Sequence, residues 1–291
     1  MDRANHRRGV LALLALTVVW GSTFPAMKSL TADLSPIQII VVRFGIASLV
    51  LLPLWRGMQR TEMRWGLALG LLLFVAFLLQ VEGLVLTTSN RSAFVTGLNV
   101  ILVPIIGALL GQRIGWRIAL ASALALLGLL ALFWEGANWN LGDTLTLASA
   151  LFFALYILLL ERLANRYPAQ ALRPERLAAV QSATLLGVGA LWLLLCGPVD
   201  FNALASQVRL HGSELIYLGV VASALMIWLQ AWGQRRVRAV EAAILYGMEP
   251  VFAAIAAWFW LGEMLTTRAL LGAALIVAGM IISQIAAAKS A

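Results

Sequence analysis

The sequence predicts an all-α integral membrane protein, with ten transmembrane helices in two inverted five-helix repeats and both termini cytoplasmic. Three observations predict it: long uncharged apolar runs, a lopsided distribution of basic residues, and a weak self-similarity between the halves. Of the 291 residues, 62% are hydrophobic and 12% charged, where a soluble domain carries roughly a quarter charged. A run of about 20 apolar residues at helical rise covers the roughly 30 Å of a bilayer's hydrocarbon core. A water-soluble fold has nowhere to bury so much.

The ten apolar stretches are 10–30, 35–54, 65–86, 92–111, 116–134, 142–161, 177–196, 214–233, 240–261 and 268–287; they are segments 1 to 10 below. They are too long for barrel strands and lack an alternation of period two, so they read as helices. Ser35-Pro36 forms an N-cap followed by proline at the first helical position, and Gly197-Pro198 is a stop signal. The basic start MDRANHRR before segment 1 resembles a signal peptide. The apolar run is too long, however, and no small-x-small cleavage site follows, so segment 1 reads as a membrane helix that stays attached.

The net charge of +8 could suggest nucleic acid, but its placement points to a bilayer instead. With the N-terminus inside, the inner ends hold Arg3, Arg7, Arg8, Arg56, Arg60, Arg64, Arg113, Arg117, Arg162, Arg166, Arg173, Arg176, Arg235, Arg236, Arg238 and Lys289. The outer loops hold only Lys28, Arg91, Arg209 and Arg268, and Arg43 lies inside segment 2. This is a strong positive-inside bias, and it places both termini of a multi-pass protein in the cytoplasm; the expected location is the inner membrane of a bacterium. A missed or invented helix would scramble the alternation from that point on. Trp55, Trp65 and Trp116 at inner ends, with Trp134, Trp139, Trp192, Trp258 and Trp260 at outer ones, make an interfacial belt. Trp20 and Trp228 lie too deep for it.

Positions 111–128, GQRIGWRIALASALALLG, align without gaps to 262–279, GEMLTTRALLGAALIVAG, and Gly9 before segment 1 loosely matches Gly142 before segment 6. A repeat of five helices is odd in number, so its second copy must lie inverted, as the charges require. The expected units are residues 1–137 and 138–291. Inverted repeats suit secondary transporters that bind substrate near the midplane between the halves.

VVWGSTF at 18–24, Arg-Phe at 43–44, PVFAAIAAWFWLGE at 250–263 and LLGAALIVAG at 270–279 resemble the EamA family of the drug/metabolite transporter superfamily, across nearly the whole chain. Within that family the sequence is most similar to exporters of aromatic and other neutral amino acids. The resemblance implies segments 1–4 and 6–9 around a central cavity, with 5 and 10 peripheral. Gln112 departs from it, standing where the first repeat of the family commonly carries Glu, as Glu263 does in the second.

Pro25 cannot donate to the Gly21 carbonyl, so segment 1 is expected to kink there. A carbonyl freed in mid-membrane must face protein or a watered cavity. Thr17, Trp20, Thr23, Phe24 and Met27 share one side of that helix, which suits a cavity wall with a hinge at Gly21 and Pro25; close packing at Gly21-Ser22 is the plainer alternative. Glu249, before Pro250, lies about 15 Å from the inner end of segment 9. A carboxylate there is costly unless paired or hydrated, and points to substrate-ammonium binding or proton carriage; a protonated Glu bonded to a neighbouring helix is the alternative. Tyr246 shares its face.

Three roles are open to Arg43: meeting a substrate carboxylate, snorkelling outward, or capping loose carbonyls. Glu82 and Arg91 read as a solvated pair at the turn between segments 3 and 4. Gln80, Thr96, Asn99, Tyr156 and Trp228 are further cavity candidates, with interhelical packing as the alternative for each. Gly66-x-x-x-Gly70 and Gly107-x-x-x-Gly111 suggest close helix contacts, and segment 10, with glycines at 272 and 279, a packing or oligomer surface. A monomer or a weak homo-oligomer through segments 5 and 10 is expected.

These residues outline a mostly apolar and aromatic cavity, suited to a small amino-acid-like substrate. The reading is an exporter working by alternating access, most simply of aromatic or other hydrophobic amino acids; drug-like or amphiphilic metabolites are the alternative, and a channel-like pore the rival of a different class. Enzyme classes find no footing. The four aspartates (Asp2, Asp33, Asp143, Asp200) lie at termini or loops and the two histidines (His6, His211) outside the apolar helices, which leaves no aspartyl pair, no metal site and no Ser-His dyad in the membrane. No phosphate-cradling loop calls for a nucleotide or other cofactor, and the lone Cys196 excludes an intrachain disulfide.

Overall fold

A computed structural model describes residues 3–133, 138–195, 200–261 and 267–290. All regular structure among them is helical. The order is α1 (Arg3–Leu30), α2 (Pro36–Leu51) with a 3-10 turn to Trp55, α3 (Arg60–Leu86), α4 (Ser89–Gly97), α5 (Asn99–Leu109), α6 (Trp116–Phe133), α7 (Leu141–Arg166), α8 (Pro174–Leu195), α9 (Phe201–Leu210) and α10 (Gly212–Ile216). A π-helical stretch, Tyr217–Leu225, leads into α11 (Met226–Gln234), followed by α12 (Ala239–Tyr246), α13 (Glu249–Leu261) and α14 (Thr267–Ser290).

Eight of these helical stretches are long and apolar enough to cross a membrane, and two shorter apolar ones, Trp116–Ala131 and Leu270–Ile285, coincide with segments 5 and 10. Each of the ten apolar runs is thus helical. The amphipathic α9, capped by Asp200 whose side chain accepts from Asn202 N and Ala203 N, lies where a plain loop is expected.

Helix starts follow the expected chemistry. Ser35 and Gln38 form a reciprocal capping box with Pro36 at the first position, and Asn140 and Asp143 form another at α7. The stop signal Gly197-Pro198 lies outside the described residues, as do Cys196, Trp134 and Glu263. Gly57 and Gly111 adopt positive φ of 72° and 87°, the left-handed conformation that glycine reaches without strain.

Helices from the first part of the chain pack on helices from the second. α1 lies on α13 and α11, α2 on α8 and the π stretch, α3 on α7 and α8, α5 on α7 and α12, and α6 on α14, the most extensive pairing. Glycines set the spacing. Gly66 and Gly70 face Val180 and Thr184 of α8, Gly128 faces Gly272 O and Ile276, and Gly279 faces Ala121 O. A Cβ on Gly111 would meet nothing within 4 Å: the residue serves a turn after α5, not the close helix contact that its spacing from Gly107 suggests. The glycine stripe of segment 10 is covered by α6, while Leu270, Leu271, Ile281 and Ile285 face outward.

A Cβ at Gly128 would lie 2.5 Å from the Gly272 carbonyl oxygen, whereas one at Gly187 meets open space. Backbone cannot yield as a flexible side chain can, so Gly128→Ala should destabilise by about 1–3 kcal/mol. Gly187→Ala should hold or slightly raise stability. Thermal unfolding of the two purified variants in detergent checks the contrast.

Candidate functional site

Two membrane segments are broken near their middles, and the breaks meet. α4 ends at Gly97 and α5 starts at Asn99; α12 ends at Tyr246 and α13 starts at Glu249. Pro250 has no N–H to continue the ladder. A Cβ on Gly97 would lie 3.0 Å from Pro250 Cγ, and one on Gly21 would lie 2.7 Å from the Glu249 carbonyl oxygen and 2.8 Å from Ala253 N. Gly21 therefore lets α1 cross directly over the break in segment 9. α1 is helical throughout, with Pro25 inside it, and Gly21 lies against the break in its partner segment. The α1 hydroxyls turn back on their own helix: Thr17, Ser22 and Thr23 donate to the carbonyls of Leu14, Val19 and Trp20 at 2.7 Å each.

At this crossing lies a small cavity of about 40 Å³, lined by Trp20, Phe77, Gln80, Thr96, Asn99, Phe153, Ile157, Gln230, Tyr246 and Glu249. That volume holds a few water molecules at most. The cavity is narrow in this conformation, and any larger occupant requires the walls to part. Among the described residues Glu249 is the one carboxylate in the lining, and no Lys, Arg or His joins it. Aromatic rings form one wall, with Trp20 and Tyr246 tilted 6.0 Å apart and Phe77 edge-on to Phe153 at 5.3 Å. Gln80 Nε2 donates to Thr96 Oγ1 at 3.3 Å, while Asn99 Oδ1 is buried without a hydrogen-bond partner.

Of the residues singled out from sequence, Trp20, Gln80, Asn99, Tyr246 and Glu249 come together here, with Thr96. Phe24, Arg43, Tyr156 and Trp228 do not. Phe24 packs on Ala93 and Ala253. Tyr156 is fully buried, its hydroxyl donating to Gln181 Oε1 at 2.8 Å. Trp228 packs on the main core. Arg43 caps loose carbonyls, the third of its three expected roles: its guanidinium donates to Ala222 O at 3.3 Å and to Ser223 Oγ, both in the π stretch. It also sits 4.7 Å from the Phe77 ring centroid, behind the cavity wall. Trp20 Nε1 donates to the same Ala222 carbonyl at 3.1 Å. The wider π turn turns that carbonyl aside to serve two helices at once.

Sequence reasoning missed Phe77, Phe153, Ile157 and Gln230. A signal existed for the last, since Leu79-Gln80-x-x-Gly83 recurs as Leu229-Gln230-x-x-Gly233.

Polar pairs tie segments together at both ends. Arg91 bonds both Asp143 oxygens at 2.6 Å, replacing the expected partner Glu82, and Lys28 Nζ donates to Leu84 O and Thr87 O. At the other end His6, which lies within α1, meets Glu241 Oε2 at 3.0 Å. There Glu161 accepts from Ala239 N and from Gln112 Nε2, so Gln112 acts as a donor in a place where a second carboxylate would face Glu161.

The two parts of the chain also match a family separately: the EamA-like transporter family aligns to residues 7–134 and again to 140–284. The chain belongs to the EamA-like transporter family. A transporter of Archaeoglobus fulgidus, itself named as uncharacterized, is 31% identical over 94% of this chain and 83% of its own length. A probable biotin transporter of Pseudomonas aeruginosa is 27% identical over 94% of this chain and 96% of its own. A probable terminal-alkyne amino-acid exporter of Streptantibioticus cattleyicolor is 26% identical over 94% of this chain and 93% of its own. One crystal structure shares the fold with a TM-score of 0.75 at 19% identity, covering 95% of this chain and 98% of that one. This EamA protein is accordingly a multi-pass membrane transporter that moves a small molecule.

Arg43→Met should cost stability, about 2 kcal/mol or more, because Ala222 O and Ser223 lose a charge-assisted donor. Arg43→Lys should fail to restore it, since a point ammonium cannot stack on Phe77 while bonding both partners. Thermal unfolding of the two variants in detergent decides.

Proposed function

We propose that this EamA protein is a secondary exporter of small hydrophobic metabolites that carry an amine, aromatic amino acids foremost, working by alternating access in the inner membrane of a bacterium. The observation that carries the reading is a lone carboxylate, Glu249, in an otherwise uncharged, ring-walled cavity at the crossing of two broken helices. A substrate ammonium compensates a buried carboxylate, and an aromatic body takes the space between Trp20, Phe77 and Phe153. The amino-acid exporter among its relatives supports the amine.

On this reading all ten apolar helices span the bilayer, with segments 5 and 10 as thin spans and both termini in the cytoplasm, in residues 1–137 and 138–291 as inverted halves. The packing supports it. Exchanging segments 1–5 with 6–10 turns the α1–α13 pairing into the α4/α5–α7 pairing, and returns α6–α14 to itself. The rocking of one half on the other then opens the cavity at alternate ends, with the break before Glu249-Pro250 as a bending point. The outward face of segment 10 leaves room for a monomer or a weak homo-oligomer.

A second reading has one observation in its favour. With no cation in the lining, the carboxylate of an amino acid meets only amide N–H groups, so amines without a carboxylate, including drug-like ones, are the competing substrates.

In proteoliposomes, uptake of radiolabelled phenylalanine should fall at least about ten-fold in Glu249→Gln, the equivalent of about 1.4 kcal/mol of lost interaction. If wild-type vesicles that pass a tightness control move phenethylamine and not phenylalanine, the second reading replaces the first. Stimulation by a pH gradient in wild type that vanishes in the variant would add proton carriage to the role of Glu249.

A further inference from the structure

Glu249 has a counterpart across the cavity. The sequence Thr96-Gly97-Leu98-Asn99 is matched at the same offsets by Tyr246-Gly247-Met248-Glu249. Each puts a hydroxyl-bearing side chain before a glycine, and each resumes its helix on the polar fourth residue. The separation of 150 residues that relates these two stretches also relates Gln80 to Gln230. All six paired side chains line the one cavity. Asn99 and Glu249 are 6% and 9% exposed, and Asn99 Oδ1 presents an acceptor that no donor meets.

We propose that Asn99 and Glu249 are two corresponding halves of one amine-binding site, distinguished by charge and by one methylene of reach, and that this single-carboxylate asymmetry selects substrates with one ammonium group. The proposal rests on the reading of Glu249 as the ammonium partner. The physical reason is charge balance. In a desolvated site, one carboxylate offsets one ammonium, whose spare N–H is taken by the neutral acceptor on Asn99. A diamine brings a second cation that nothing there neutralises, and an anion meets the carboxylate as a like charge. Because each residue opens a half-helix, either position suits a negative group at the positive end of the helix dipole.

The test moves the charge without changing side-chain size. Binding of radiolabelled phenethylamine to the full-length protein in detergent is compared in wild type, Glu249→Gln, Asn99→Asp and the double variant Asn99→Asp/Glu249→Gln, with gel filtration and thermal unfolding as folding controls. Glu249→Gln should weaken binding at least about ten-fold, and the double variant should recover to within about five-fold of wild type. Asn99→Asp alone, with two carboxylates, should gain at least about ten-fold in competition by butane-1,4-diamine. If Asp at 99 disrupts folding, Asn99→Glu in the Glu249→Gln background provides the same transfer.

A folded double variant that stays as weak as Glu249→Gln would overturn the correspondence while leaving Glu249 as the ammonium partner. Undiminished binding in Glu249→Gln overturns both the correspondence and that partner role. Wild-type binding of phenethylamine without phenylalanine, combined with recovery in the double variant, supports the half-sites and removes only the amino-acid assignment. No wild-type binding of either amine overturns the proposal.

Discussion

Backbone groups inside a bilayer have no water to bond, so a helix can be interrupted in mid-membrane only where other protein encloses the break. This constraint organises the centre of the molecule. Segments 4 and 9 are both interrupted, and they lie against each other at Gly97 and Pro250 with Gly21 of α1 across the second break. Three helices approach so closely that two of the contact residues must lack a side chain. The polar residues that open the second half of each segment are thereby delivered to one enclosed point. The cavity follows from solving a backbone problem twice in the same place.

Much of this was legible in sequence because the membrane simplifies the code. Apolar length located each helical run, and the Ser35 cap and its proline set one boundary to the residue. Glu249 could be singled out because an ionisable group at that depth is costly, and Trp20 because it lies too deep for an interfacial belt. Arg43 left three roles open, and its depth in the helix could not say which of them applied. What decides it is the π stretch, a winding defect that depends on packing of Gly219 against Ile46 and the Arg43 carbonyl, contacts far apart in the chain. Phe153 and Ile157 were invisible for another reason. Apolar residues on an apolar helix carry no pattern that separates a cavity wall from a lipid-facing or core position.

At each end the molecule pairs one Arg and one His with carboxylates: Arg91–Asp143 and His211–Asp33 at one, Arg176–Glu62 and His6–Glu241 at the other. Arg91 and Asp143 form a two-pronged ion pair at the start of segments 4 and 6, with Asp143 also serving the cap of α7. His6 and Glu241 join the starts of segments 1 and 9. Both of the pairs that join the halves at segments 4/6 and 1/9 are intact in the conformation described.

The π stretch carries a consequence for how the halves can be compared. A π turn closes each hydrogen-bonded ring over one more residue than an α turn. The stretch of α3 at the same separation of 150 residues, 67–75, is ordinary α-helix, so the two halves agree in register at Gln80 and Gln230 and drift apart toward the start of each helix. Deleting a single residue between 217 and 225 would rewind that portion and swing everything ahead of it by about 100° relative to Gln230. The length of this stretch matters there alongside the identities of Gly219 and Ser223, which its packing uses.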